Sequence, residues 1–214
     1  MANNTIIFGD SYSTFDGYIP EGYAAYYAEV KRAETDVVKV EQTWWHQVVE
    51  KAGLNLVMNN SWSGSTIGYT GYQNSDCSGT SSFIYRLRKL KAEGFFAENR
   101  IDTVLVFGGT NDDWAGVPHG TLKFADFQEE ELYTVLPAIA CFLKSLKETL
   151  PEAKLYCLIN TEMNPVIAEA FQKACAQYGI IPITFTHIHK EFGHPTIQGM
   201  RDIAQQVLAV LNRA

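Results

Sequence analysis

The chain is short of positive charge: 17 Lys and Arg stand against 24 Asp and Glu in 214 residues, a formal net charge of −7. No basic block is present, so the clustered cations that phosphate contacts need are missing and nucleic acid is not an expected partner. The same lack removes the polybasic stretch that holds proteins on anionic membranes. No apolar run approaches the roughly 20 residues of a membrane-spanning helix. The run at residues 5–8 is too short for a signal-peptide core and has no basic flank, which points to the cytoplasm. Cysteine is scarce: Cys77, Cys141, Cys157 and Cys175 form no CxxC pair and share no zinc-type spacing with histidine. Three of them sit among apolar residues, as reduced core thiols do. Neither GxGxxG nor GxxxxGK[ST] occurs, which leaves a nucleotide-binding reading little support.

What is present is a hydrophobic content of 46% with 19% charged residues, enough for one folded domain over residues 1–214. Short β-branched runs alternate with stretches of helical period. Strands are expected at 5–8, 54–59, 101–107, 154–159 and 180–185. The run IDTVLVF at 101–107 is continuously apolar after its start, as a central parallel strand covered on both faces should be. Helices are expected at 43–52, with Thr43 as N-cap and Gly53 as stop, and at 82–93, 165–178 and 196–212. A long helical stretch at 126–150 carries Pro137, which should kink or split it. The alternation implies an α/β fold, a three-layer α/β/α sandwich around a five-stranded parallel sheet. Ligands of such sheets bind at the carboxyl ends of strands. Two long loops at that edge, 11–42 and 60–81, are rich in Gly, Ser and Tyr.

Four motifs fall at strand ends. Gly9-Asp10-Ser11-Tyr12-Ser13 follows the first strand, where a sharp turn can expose a serine for activation by a base. Asn59-Asn60-Ser61-Trp62-Ser63-Gly64-Ser65 follows the second, and its glycine lets a backbone N–H come close to a ligand. Gly108-Gly109-Thr110-Asn111-Asp112 follows the third, and an asparagine amide can donate to a developing oxyanion. Glu191-Phe192-Gly193-His194-Pro195-Thr196 precedes the last helix, with a histidine suited to act as a base near neutral pH. Each motif alone reads equally as an ordinary polar turn. His46 and His119 are taken as surface histidines.

Together, in this order, the motifs resemble the SGNH hydrolases, the GDSL esterase/lipase family. The resemblance runs from residue 6 to about residue 200 and implies a flavodoxin-like SGNH hydrolase fold that needs no metal or cofactor. It implies Ser11 as nucleophile and His194 as base, with Ser11, Gly64 and Asn111 forming the oxyanion hole. Asp10 is structural in this reading. The family usually carries Asp three residues before the histidine; Glu191 stands there instead. Glu191 is the expected acid, and a Ser–His dyad or a carbonyl in the acid's place stays open.

The loops also carry aromatics: Tyr12, Phe15, Tyr18, Tyr23, Tyr26 and Tyr27 in the first, then Trp62, Tyr69, Tyr72 and Trp114. Rings beside polar groups suit stacking on sugars. Tyr12, Trp62 and Trp114 are therefore the expected substrate contacts, and a small-molecule or carbohydrate ester, in particular an acetyl ester, is the expected substrate. The same rings could instead pack the loops onto the core or form a homo-oligomer interface. A glycan-binding pseudoenzyme and an acyltransferase on the same fold are the competing readings.

Overall fold

The computed structural model describes residues 3–212. In chain order the elements are β1 (Asn3–Gly9), α1 (Trp44–Ala52), β2 (Leu54–Ser61), α2 (Phe83–Ala92), α3 (Phe95–Glu98), β3 (Thr103–Phe107), α4 (Thr110–Trp114), α5 (Val135–Thr149), β4 (Lys154–Ile159), α6 (Pro165–Tyr178), β5 (Ile181–Thr184), β6 (Lys190–Glu191), β7 (His194–Pro195) and α7 (Ile197–Leu211). The first five strands form one parallel sheet in the order β2-β1-β3-β4-β5; β6 and β7 form a small antiparallel hairpin.

Successive strand residues point to opposite faces, and the chain fills both faces with apolar groups. Ile6, Phe8, Val104, Val106, Cys157 and Ile159 pack with the buried faces of α2, α5 and α6. Ile7, Leu105, Phe107, Tyr156 and Leu158 pack with α1 and α7. The result is the expected three-layer sandwich. All four cysteines are buried and unpaired. Among the described residues no helix is long and apolar enough to cross a membrane.

The 2-1-3-4-5 order reverses direction between β1 and β3, so the crevice of this sheet opens where those neighbours end. Gly9 pairs with Phe107 there, and the Asp10 N–H donates to the Phe107 carbonyl at 3.3 Å. The first and third motifs thus leave the sheet side by side.

Four local points refine the expectations. The stretch 126–150 does break, but not at Pro137. A 3-10 helix over Glu129–Tyr133 ends at Thr134, whose extended backbone (φ −120°, ψ 147°) starts α5. Pro137 lies in the first turn of α5, where its missing N–H would have had no helical partner. β3 and β5 are shorter than expected, because Ile101 and Ile180 are buried outside the sheet ladder. The short helices α3 and α4 and the β6–β7 hairpin carry too little periodicity to be seen in advance. Finally, of the two readings of the first aromatic loop, packing onto the core holds for Tyr12, Phe15 and Tyr27, which are buried in the layer with α1 and α7.

Candidate active site

β1 ends on Gly9 because nothing larger fits: an added Cβ would lie 2.4 Å from Ser61 Oγ and 2.5 Å from Ser13 Cβ. Asp10 then caps a 3-10 turn over Ser11–Ser13, its carboxylate accepting from the Tyr12 N–H at 3.0 Å. Ser11 therefore sits at the amino end of a short helical turn, 4% exposed. Its own N–H has no hydrogen-bond partner among the described residues.

The loop after β2 is held against the same point. Trp62 N–H donates to the Gly9 carbonyl at 3.1 Å and Ser63 N–H to the Ala24 carbonyl at 2.8 Å. Gly64 takes φ +80°, a left-handed turn that favours glycine, and its N–H is likewise unpartnered among the described residues. Asn111, at the start of α4, donates one amide hydrogen from Nδ2 to the Ser65 carbonyl at 2.9 Å. Tyr72 donates its hydroxyl to Asn111 Oδ1 at 2.8 Å, which fixes the amide's orientation and leaves a second Nδ2 hydrogen free.

Beneath these loops lies buried charge. The Arg86 guanidinium, fully buried on α2, donates to the Asn60 carbonyl, to Asn60 Oδ1 at 2.9 Å, to the Gly9 carbonyl at 3.2 Å, to Ser65 Oγ at 3.1 Å and to the Ser81 carbonyl at 2.9 Å. It joins the ends of β1 and β2 to the Gly64 turn. Asp112 accepts from Ile67 N–H at 2.9 Å and from Gly68 N–H at 3.5 Å. Burial pushes both Asp10 and Asp112 up to about 7, and pushes Arg86 down to about 9. One Asp10 oxygen, Oδ2, has no hydrogen-bond partner among the described residues.

His194 comes from the β6–β7 hairpin. Its Nε2 lies 3.1 Å from Ser11 Oγ and its Nδ1 lies 3.2 Å from the Phe192 carbonyl. A carbonyl only accepts, so Nδ1 carries the proton and Nε2 is left to accept from the serine hydroxyl. The turn is made by Phe192 and Gly193 with φ of +47° and +78°. A phenylalanine is rarely found there, and the strain aims its carbonyl at the imidazole. Tyr12 donates to the Gly193 carbonyl at 2.5 Å and Tyr27 to the Pro195 carbonyl at 3.0 Å. Burial holds the His194 imidazole below its ordinary pKa. The nearby cations Arg32 and Lys190 act the same way, and the bond to Phe192 opposes them.

The structure thus brings Ser11 and His194 together, and bonds Asn111 to Ser65 in the loop that carries Gly64. It does not bring in Glu191, whose expected role is corrected: Glu191 pairs with His194 only through the backbone of the β6–β7 hairpin, its side chain is exposed, and among the described residues no side-chain hydrogen bond or ion pair joins it to the imidazole. The left-handed turn puts the Phe192 carbonyl where a carboxylate was expected. Tyr12 is corrected as well. It is wholly buried and supports the histidine hairpin, so it does not present a face to substrate. Trp114 is 48% exposed beside His194, with ring centroids 5.7 Å apart. Trp62 is half-buried and packs on Tyr23 at 4.2 Å. Among the described residues no three His, Cys, Asp or Glu side chains converge as a metal-ligand set.

Sequence reasoning named Tyr26, Tyr72 and Asp112 without finding the contacts that give them supporting roles, and it missed Arg86. Only Arg86 carried a signal. It lies three residues after Phe83 and four before Leu90, on the apolar stripe of its helix, where a charge needs a reason.

The family profile of the GDSL-like lipases/acylhydrolases matches residues 3–211. The chain belongs to this family. Two solved structures described as GDSL-like lipases are similar to this acylhydrolase along its whole length. One, from Bacteroides ovatus, is 37% identical with a TM-score of 0.92, and all of both chains is covered. The other, from Bacteroides uniformis, is 38% identical with a TM-score of 0.91, covering 100% of this chain and 97% of that one. An acetyl xylan esterase from Butyrivibrio proteoclasticus shares the fold at 15% identity and a TM-score of 0.62, over 99% of this chain and 63% of that one. No curated protein matches the chain in sequence. Membership assigns this GDSL-like acylhydrolase to the serine esterases.

Proposed function

We propose that this protein removes short acyl groups, acetyl above all, from carbohydrate esters by a Ser11–His194 acyl-enzyme mechanism. The observation that carries it is the 3.1 Å approach of His194 Nε2 to Ser11 Oγ, with the Phe192 carbonyl fixing the tautomer. His194 takes the serine proton as Oγ attacks the ester carbonyl. The N–H groups of Ser11 and Gly64 and the free hydrogen of Asn111 Nδ2 receive the oxyanion. One such donor is typically worth about 3–4 kcal/mol in the transition state. His194 then gives its proton to the departing alcohol. Water, deprotonated by the same Nε2, attacks the acyl-enzyme and releases the acid.

Two things support a sugar as the alcohol. Exposed or half-buried rings, namely Trp114, Tyr72 and the Trp62–Tyr23 pair, border loops rich in hydroxyl and amide groups. The acetyl xylan esterase, and a Clostridium thermocellum family two carbohydrate esterase solved with cellohexaose, share this fold. The four unpaired cysteines fit work in the cytoplasm. The short Nε2–Oγ contact favours catalysis over a glycan-binding role without chemistry.

The test is hydrolysis of p-nitrophenyl acetate and of acetylated xylo-oligosaccharides by wild type and Ser11→Ala. A loss of about 10³-fold or more with retained fold is expected. Equal rates would overturn the nucleophile, and faster turnover of long acyl chains than of acetyl would overturn the substrate class.

A further inference from the structure

His194 lacks a carboxylate partner, yet its ring is closely enclosed by other rings. Tyr26 lies flat on it, with centroids 3.7 Å apart and planes 4° from parallel. Tyr12 and Trp114 meet it more obliquely, at 5.4 Å and 59° and at 5.7 Å and 70°. We propose that the Tyr26 ring stands in for the missing carboxylate. Its π face fixes the imidazole plane and stabilises the imidazolium that forms when Ser11 gives up its proton. The inference rests on the reading of Ser11 and His194 as nucleophile and base, and makes Tyr26 a positioning residue.

Three observations carry it. First, a backbone carbonyl bears only a partial charge, so the Phe192 contact orients Nδ1 but compensates a full positive charge poorly. Second, the charged groups near the imidazole work against the cation. Arg32 and Lys190 are both positive, Ser11 and Tyr12 are neutral hydroxyls, and among the described residues no carboxylate is bonded to His194. A ring face is the one remaining attractive partner, and it attracts cations more strongly when desolvated. Third, Tyr26 is held in place from several sides. Its N–H donates to Thr14 Oγ1 at 2.9 Å, its hydroxyl donates to the Glu34 carbonyl at 3.4 Å, and its carbonyl accepts from Arg32. The next residue, Tyr27, is bonded to Pro195 of the histidine's own hairpin, and Ala24 is bonded to Ser63 beside Gly64. A ring pinned this way cannot swing off the imidazole without disturbing both halves of the site.

The experiment follows the His194 Cε1–H signal by NMR through a pH titration of the full chain, assigned by its loss in His194→Gln. This readout does not depend on turnover, so it stands even if Ser11→Ala leaves esterase activity unchanged. Tyr26→Leu keeps the ring covered by apolar surface but removes the π face. The His194 pKa should fall by about half a unit to one unit, and kcat on p-nitrophenyl acetate by about 3- to 10-fold at unchanged KM. Tyr26→Phe should match wild type in both readings, and Tyr26→Trp should raise the pKa, which keeps the test alive if the leucine variant does not fold. A pKa that is unchanged or raised in Tyr26→Leu would overturn the proposal, since the ring would then only shield His194. So would a Tyr26→Phe variant that behaves like Tyr26→Leu, since the hydroxyl and not the ring would then matter.

Discussion

The Gly64 loop is held by the buried ionisable side chains Arg86 and Asp112, whereas His194 is held by aromatic rings and backbone carbonyls. On the first side, Arg86 and Asp112 lie wholly inside the protein and hold the 60–68 segment through six hydrogen bonds between them. On the second side, the hairpin leaves Phe192 73% exposed and hangs from two tyrosine hydroxyls. The difference follows what each side must do. In the proposed mechanism the oxyanion donors keep the same charge throughout the reaction, so a rigid frame around the buried Arg86 can fix them, and fixed dipoles need no reorganisation when the oxyanion forms. In the same mechanism the histidine must be neutral at rest and cationic in mid-reaction. Neutral, polarisable partners favour the cation without locking it in.

Breaking the charged side should cost most. Arg86→Met leaves four carbonyl and amide oxygens without their buried donor, and should cost about 3–5 kcal/mol of stability in chemical denaturation. A cost under about 1 kcal/mol would mean that the loops are held by packing alone. Asn111→Ala should keep the fold and lower kcat about 10²- to 10³-fold, with KM nearly constant. A comparable rise in KM would make the amide a substrate anchor instead.

The pH response should separate the two sides by sign. Burial lowers the His194 pKa, so kcat/KM should rise with pH through a midpoint below the ordinary 6.5 and level off above it. Asp10 and Asp112 have folded-state pKa values raised from 3.8 to about 7. Their contribution to stability is complete below 3.8 and is lost as pH climbs to about 7, because the unfolded chain ionises first. Asp10→Asn should therefore flatten the fall of Tm over that window; a fall as steep as in wild type would show that Asp10 is already ionised in the fold. The smallest effect is expected from Glu191→Gln, whose kcat/KM should stay within about twofold of wild type. A tenfold loss would restore Glu191 as the acid.

The strand ends were legible in the sequence because each joins an apolar run to a glycine-bearing polar turn: Phe8 to Gly9, Phe107 to Gly108. Local chemistry decides such boundaries, and the resemblance to the GDSL family then put Ser11, Gly64, Asn111 and His194 forward as the expected site residues. The supporting residues could not be placed that way. Tyr26 reaches His194 through a loop that is almost free of regular structure, and Tyr72 reaches Asn111 across 39 residues. Neither spacing has a period. The acid was misplaced for a related reason. Counting three residues back from the histidine presumes a turn that aims the side chain inward, and here Phe192 and Gly193, with positive φ, offer a carbonyl instead.

Ser11 and His194 are 183 residues apart in the sequence. In the proposed mechanism, synthesis therefore exposes the nucleophile well before the base, which follows only after β5 has left the ribosome. Until then the serine is an ordinary alcohol, unable to acylate itself on passing esters. In that reading, docking the β6–β7 hairpin, a contact of very long loop closure, is the event that arms the serine. Esterase activity during translation would therefore report completion of the fold, not the appearance of its parts.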